Sequence, residues 1–234
     1  MLKSHGRFKE NRMSDDPLRD LILEQSPEGF SRELATRQDA LYKEAHSYSH
    51  HGTLWDEHEA RSVHPIVRRA VFESATRSAA RNNGLKPYDL FHAGDNYPYV
   101  LVKSKKLWIT CHHVASPDCL VPPAESRKQN AAIGQWLDYY MRAELLLHPL
   151  PELRKSGKIY LYILHGQQPQ NAEKTQYKSF LRAAIPDVKL TAYRRNYAVS
   201  ELLQFYAQKS KDPTVDGLSV ADFAFARIKK DGGR

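Results

Sequence analysis

The chain has 234 residues, 41% of them hydrophobic, which suits one domain with its own core and leaves room for short extensions. Two cysteines make no disulfide framework, the first residues lack the apolar stretch of a signal peptide, and no run approaches the ~20 apolar residues that cross a bilayer, so a reducing cytoplasm is the expected compartment. A formal net charge of +8 suits nucleic acid, an acidic protein or an anionic surface, and does not choose among them.

Residues 1–25 read as a flexible basic arm carrying one short helix, with Asp16 ahead of Pro17 as a cap and Leu18, Leu21 and Ile22 as its apolar stripe. After Ser26-Pro27 a longer helix is expected over Ser31–Ala45, with Phe30, Leu34, Leu41 and Ala45 on one side. Next comes a stretch crowded with His46, His50, His51, His58 and His64 among Glu44, Asp56, Glu57 and Glu59. On a helix, His46 and His50 would share one face, the arrangement that metal-binding pairs need. Ser47 stands where an HExxH motif has glutamate, and Ser47, Ser49 and Gly52 argue that the helix is ending, so a polar loop with titrating histidines is expected.

A further helix is expected to start at His64-Pro65 and run through 65–81, with proline in its first turn and Ile66, Val67, Ala70, Val71 and Ala75 as the buried stripe. Arg68, Arg69, Arg77 and Arg81 fall largely outside that stripe, with Arg61 just upstream, which makes this face a candidate anion-binding surface. Asn82-Asn83-Gly84 is a stop signal.

Tyr88–His92 reads as a strand and 93–96 as a turn, leading into a β-hairpin over 97–114. An even loop pairs Val102 with Leu107, Val100 with Ile109 and Tyr99 with Thr110. Alternation then puts Val100, Val102, Leu107, Ile109 and Cys111 on a core face. Tyr97, Tyr99, Leu101, Trp108, Thr110 and His112 fall on the other face, with Lys103, Lys105 and Lys106 at the tip. Cys111, His112, His113 and Cys119 resemble zinc ligands in composition, but neighbouring strand residues point to opposite faces and the paired spacing of structural zinc sites is missing.

Beyond Ser116-Pro117 and Pro122-Pro123, a long helix is expected over Glu125–His148, with Ile133, Trp136, Leu137, Tyr140, Met141 and Leu147 at helical spacing. Lys158–Leu164 is a nearly continuous apolar strand, as for a strand buried on both faces. Strands at Ser179–Ile185 and Lys189–Arg195 and a helix at Val199–Ala207 follow; residues 208–234 read as a mobile tail in which 218–230 fits strand and helix equally. The expectation is a single α/β (α+β) domain over 26–207: a mixed sheet centred on the hairpin, flanked by the helices near 65–81 and 125–148, with an N-terminal helical extension.

The order helix, strand, hairpin, helix, strand from Pro65 onward resembles the core of PD-(D/E)xK nucleases. The resemblance implies a metal site built from a helix glutamate, an acid near the second strand and a (D/E)xK on the third. Glu73 and Asp95 match the first two places, but the third strand reads LWITCHH, with neither carboxylate nor lysine, so a catalytically empty version of the fold is implied. The segments HPIVRRAVFE, YPYVLVKSKKLWIT, NAAIGQWLDYY and IYLYILHG are similar to those of uncharacterised bacterial proteins encoded beside helix-turn-helix regulators in toxin–antitoxin-like gene pairs. That likeness, over Arg61–Pro186, implies a partner-binding role; Lys103, Lys105 and Lys106 replace the usual arginine-rich strand end.

No GxSxG elbow, Walker loop, GxGxxG after a strand or HExxH occurs. Of the thiols, Cys111 points to the expected core and only Cys119 stays open as a nucleophile. The sequence therefore favours a non-enzymatic interaction protein, without cofactor or metal, of a bacterial toxin–antitoxin or phage-defence system. Its expected contacts are Arg61, Arg68, Arg69, Arg77, Lys103, Lys105 and Lys106 with Tyr99, Trp108 and His112. The alternatives are nucleic-acid binding through the same cations, a degenerate nuclease, and a metal-dependent hydrolase built on His46, His50, Glu57 and His58.

Overall fold

The computed structural model describes residues 16–50, 56–91, 98–135, 137, 157–170 and 177–210. The arm at 1–15, the turn with Asp95, Tyr97, the helix residues Trp136, Tyr140, Met141, Leu147 and His148, and the tail beyond 210 lie outside these residues. Among the described residues, five helices and a six-stranded mixed sheet make an α/β fold: α1 (Pro17–Gln25), α2 (Glu28–His50), α3 (Glu57–Asn82), β1 (Lys86–Phe91), β2 (Pro98–Lys103), β3 (Leu107–His113), α4 (Glu125–Ala132), β4 (Ile159–Pro169), β5 (Tyr177–Pro186), β6 (Tyr193–Ala198) and α5 (Val199–Lys209). Strand order in the sheet is β1-β2-β3-β4-β5-β6. All neighbours are antiparallel except β3 and β4, whose parallel pairing needs the crossover that contains α4. No helix of the described residues is long and apolar enough to cross a membrane.

Each face of the sheet has its own core. On one, Val100, Val102, Leu107, Ile109, Ile159, Leu161 and Ile163 pack under α1, α2, α3 and α5. On the other, Tyr160, Tyr162 and Leu164 pack with Val114, Val121, Ala131 and Leu190. β4 feeds both, which is why its sequence shows no polar alternation. The short N-terminal helix is docked rather than part of a loose arm. Asp16 accepts from the Arg19 amide and from the Tyr197 hydroxyl at 2.7 Å, and Leu18, Leu21 and Ile22 are buried in the main core.

The hairpin keeps the expected faces but not the expected register. Val102 pairs with Ile109 and Lys103 with Trp108, two residues on, because the turn closes on Ser104 and Leu107, one residue further along the chain: the Ser104 amide donates to the Leu107 carbonyl and its hydroxyl accepts from the Leu107 amide. A shift of two preserves every facing.

Three helix expectations need correction. α2 runs on to His50, and α3 begins at Glu57, where Asp56 and Glu59 form a capping box; Pro65 therefore sits inside α3, not at its first turn. The buried stripe of α3 is Phe72, Ala75, Thr76, Ala79 and Ala80, while Ile66 is 54% exposed. Small residues let α3 lie close to the sheet and α2, and that rotation turns Arg68, one turn before Phe72, towards the sheet. The expected helix over Glu125–His148 is interrupted by a turn at Ile133-Gly134, with Gln135 and Leu137 helical again and the rest of that span, from 138 on, outside the described residues. The last strand starts at Tyr193, not Lys189, because the Asp187 carboxylate accepts from the amides of Thr191 and Ala192 and holds those residues in a loop.

Candidate functional site

β3 and β4 end together, with His113 paired to His165. The crevice outside the carboxyl ends of parallel strands is where α/β sheets most readily accept ligands. A cavity of about 270 Å3 lies there. α3 lines it with Arg68, Arg69 and Glu73, and α4 with Arg127; Tyr99, Thr110, Cys111, His112 and Tyr160 come from the strands. Gly166, just past His165, is required by the close approach of the chain after β3: a Cβ there would lie 2.2 Å from the Val114 carbonyl oxygen.

Two imidazoles of this crevice, His165 and His113, are held neutral. His165 is buried, stacked on Phe72 at 3.6 Å between ring centroids, with its Nδ1 2.9 Å from the Tyr42 hydroxyl. Burial pushes its pKa well below the ordinary 6.5, helped by His113 and Arg68. Arg68 donates from Nη2 to His113 Nδ1 at 3.2 Å; a guanidinium only donates, so that nitrogen carries no proton. Desolvation and Arg68 hold His113 at about 4, although the residue keeps an exposed edge.

The carboxylate and the thiol are no better placed for catalysis. Burial pushes the Glu73 carboxyl up, against the pull of Arg69, whose Nε donates to it at 2.9 Å. The Cys111 thiol, wholly buried, is pushed up to about 12 and carries no thiolate at neutral pH. Facing α3, β3 thus offers Cys111 and His113 where the nuclease pattern needs an acid and a lysine.

Two arginines that line this cavity have nitrogens without a hydrogen-bond partner among the described residues. The Nε atoms of Arg68 and Arg127 are both buried without a hydrogen-bond partner. The other expected arginines are engaged with the chain's own acids. Arg61 pairs with Glu57, Arg69 with Glu73 and also the Pro98 carbonyl, and Arg77 with Asp89 at 2.6 Å. Exposed pairs of this kind are worth little in stability, about 0.2–1 kcal/mol, but they cancel most of the positive field expected along α3.

The lysines gather at the opposite end of the hairpin. Lys86 on β1 stands directly across from Lys103 on β2, and Lys103 across from Trp108 on β3. The Lys103 ammonium lies 4.2 Å from the Trp108 ring centroid and 4.6 Å from that of Tyr88, and Lys158 adds a contact at 5.2 Å to Trp108. Lys86, Lys103 and Lys105 make no ion pair among the described residues. The structure therefore splits the expected contact set: Arg68, Arg69, Tyr99 and His112 at the crevice, Lys103, Lys105, Lys106 and Trp108 at the tip, Arg61 and Arg77 at neither.

The described histidines of this stretch lie on two helices, His46 and His50 on α2 and His58 and His64 on α3, while His51 lies outside the described residues. His46 and His50 stack face to face, 4.0 Å between centroids and 5° between planes, so their lone pairs run side by side instead of converging on an ion. The Ser49 hydroxyl lies 2.8 Å from Nδ1 of both His50 and His64. Among the described residues no group of three or more metal-ligating side chains has a geometry to hold an ion. Cys119 is exposed, 3.1 Å from the Ser116 hydroxyl, with no histidine hydrogen-bonded to it among the described residues. Sequence reasoning missed Arg127, which lay in a polar helix without a stripe to aim it, and His165, masked by the apolar run that it ends.

Comparison with known proteins finds no matching family model, no matching curated protein and no matching solved structure.

Proposed function

We propose that this protein is a non-enzymatic interaction protein that holds nucleic acid by its phosphates at the lysine row of the hairpin end. The observation that carries the reading is the cross-strand pair Lys86–Lys103, extended by Lys105, with no carboxylate joined to any of the three among the described residues. Like charges directly opposite each other weaken a sheet, and an anion laid over them removes that cost. Tyr88, 41% exposed, and Trp108 interleave with the lysines, a mixture that suits a nucleic-acid backbone better than an acidic protein surface.

Support for a nuclease-like core emptied of catalysis comes from the crevice. Glu73 is committed to Arg69, and β3 brings Cys111 and His113 to the face where the pattern needs (D/E)xK. A place in a bacterial toxin–antitoxin or phage-defence system belongs to the same proposal, through the likeness over Arg61–Pro186. A pull-down with the product of the adjacent gene tests that part.

The main test is fluorescence anisotropy with labelled DNA and RNA across salt. Affinity should fall steeply as salt rises, and Lys103→Glu or Lys86→Glu should weaken binding and reduce the slope of log Kd against log salt by about 1 each. Absence of any binding at low salt, or charge reversals without effect, would sink the nucleic-acid reading. Magnesium-dependent cleavage that disappears in Glu73→Ala would sink the non-enzymatic one.

A further inference from the structure

The geometry points to a second, separate site: a pocket for a phosphate monoester in the crevice at the ends of β3 and β4, gripped by Arg68 from the α3 side and Arg127 from the α4 side. Both guanidinium groups line one cavity of about 270 Å3, and each has a buried Nε without a partner. A buried donor left unmade is costly, more so when it is charged, and both of these donors belong to side chains on the wall of one small cavity.

The charge count fits a dianion. Glu73 is the carboxylate lining this cavity, and Arg69 already holds it at 2.9 Å. Arg68 spends its Nη2 on the neutral imidazole of His113, which offsets none of its charge. Among the described residues no carboxylate pairs with either guanidinium, so two positive charges stand against about −1.5 to −2 on a phosphate monoester at neutral pH. Guanidinium forks match phosphate oxygens in geometry as well as in sign. Thr110 and Tyr160, whose hydroxyls are 2.8 Å apart, add neutral hydrogen-bonding groups to the wall.

Size narrows the ligand further. The volume falls just below the range of small-molecule sites, about 300 to 1,000 Å3, so the pocket suits a terminal phosphate on a small body and not the flank of a duplex. A phosphorylated metabolite and the 5′-phosphate end of a nucleic acid share this chemistry. The lysine row reads internal phosphates and lies at the far end of β2 and β3, so the two sites are separable.

The test is titration of the full chain with inorganic phosphate, glycerol 3-phosphate and a 5′-phosphorylated dinucleotide, with the 5′-hydroxyl dinucleotide as control, followed by calorimetry and by phosphorus NMR line width. Saturable binding to phosphate and to at least one ester, with none to the 5′-hydroxyl control, is expected; the tighter ester identifies the source. Arg68→Ala and Arg127→Ala should each weaken binding by about tenfold or more, the scale of one charge-assisted hydrogen bond.

Arg127→Ala should also leave the melting temperature of the unliganded protein unchanged or raised, because it removes an unpaired buried charge, while abolishing the rise that phosphate gives the wild type. Lys103→Glu should bind phosphate as the wild type does. No saturable binding by the wild-type chain, wild-type affinity in both arginine variants, or loss of phosphate binding in Lys103→Glu would each overturn the proposal. Should Arg68→Ala fail to fold, Arg127→Ala and the wild-type titration decide it.

Discussion

His165 holds a neutral imidazole between Phe72, Tyr42 and His113, and that neutrality has a measurable consequence. Its folded-state pKa lies well below 6.5, so the unfolded chain takes up the proton first. The stability it contributes is full above pH 6.5 and is lost as pH falls below that value, at up to about 1.4 kcal/mol per pH unit. His113, held at about 4, acts in the same direction between pH 6.5 and 4, with an effect reduced by solvent at its exposed edge. Urea unfolding followed from pH 7 to pH 5 should show this slope, and His165→Gln should flatten it, since the amide can still meet the Tyr42 hydroxyl without titrating. An unchanged slope in the variant would remove His165 as the cause.

At the scale of the element, α3 decides where the positive charge goes. Its start is set by Asp56, which accepts from the Glu59 amide at 2.8 Å while Glu59 accepts from the Asp56 amide. Asp56→Ala should cost about 1 kcal/mol and lower Tm by about 2–4 °C in thermal unfolding, with a loss below about 0.3 kcal/mol counting against the box as the helix start. Its end is set by Gly84, at φ 72°, a conformation open to glycine at little cost. Between these points the small residues Ala75, Thr76, Ala79 and Ala80 seat the helix, and their facing puts Arg68 over the ends of β3 and β4. Arg69, which also lines the crevice, is answered by Glu73, and Arg77, more than two turns beyond Arg68, by Asp89.

For the whole molecule, β4 is the shared wall of both cores. Leu161 is buried in the main one and Leu164 in the other, at 1% and 0% exposure. Each change to alanine should destabilise by about 2–5 kcal/mol, the range for a leucine whose cavity cannot collapse. Because one strand carries both, Leu164→Ala should lower the midpoint of the helical circular-dichroism signal even though α1, α2, α3 and α5 lie on the other face. A separate early transition that spares that signal would show the two layers to be independent. Two sites follow from the same architecture, since the hairpin has two ends: lysines at its turn, arginines at its open end.

Local pattern was enough for much of this. The sequence by itself determined the class of fold, the position of nearly every strand, the two faces of the hairpin and the buried sides of α1 and α2, because period-two and period-3.6 alternation is a local record of which face is buried. It also determined that Cys111 and His112 part to opposite faces. Tertiary structure alone decided the rest: the rotation of α3, where Ile66, Val67 and Ala70 offered a plausible stripe and close packing of small residues against the sheet and α2 won; the two-residue register shift set by Ser104; and the meeting of Arg68 with Arg127. Those two arginines lie on different helices in different layers. Only the parallel pairing of β3 with β4 brings their helices to one crevice, and no spacing within the chain encodes that.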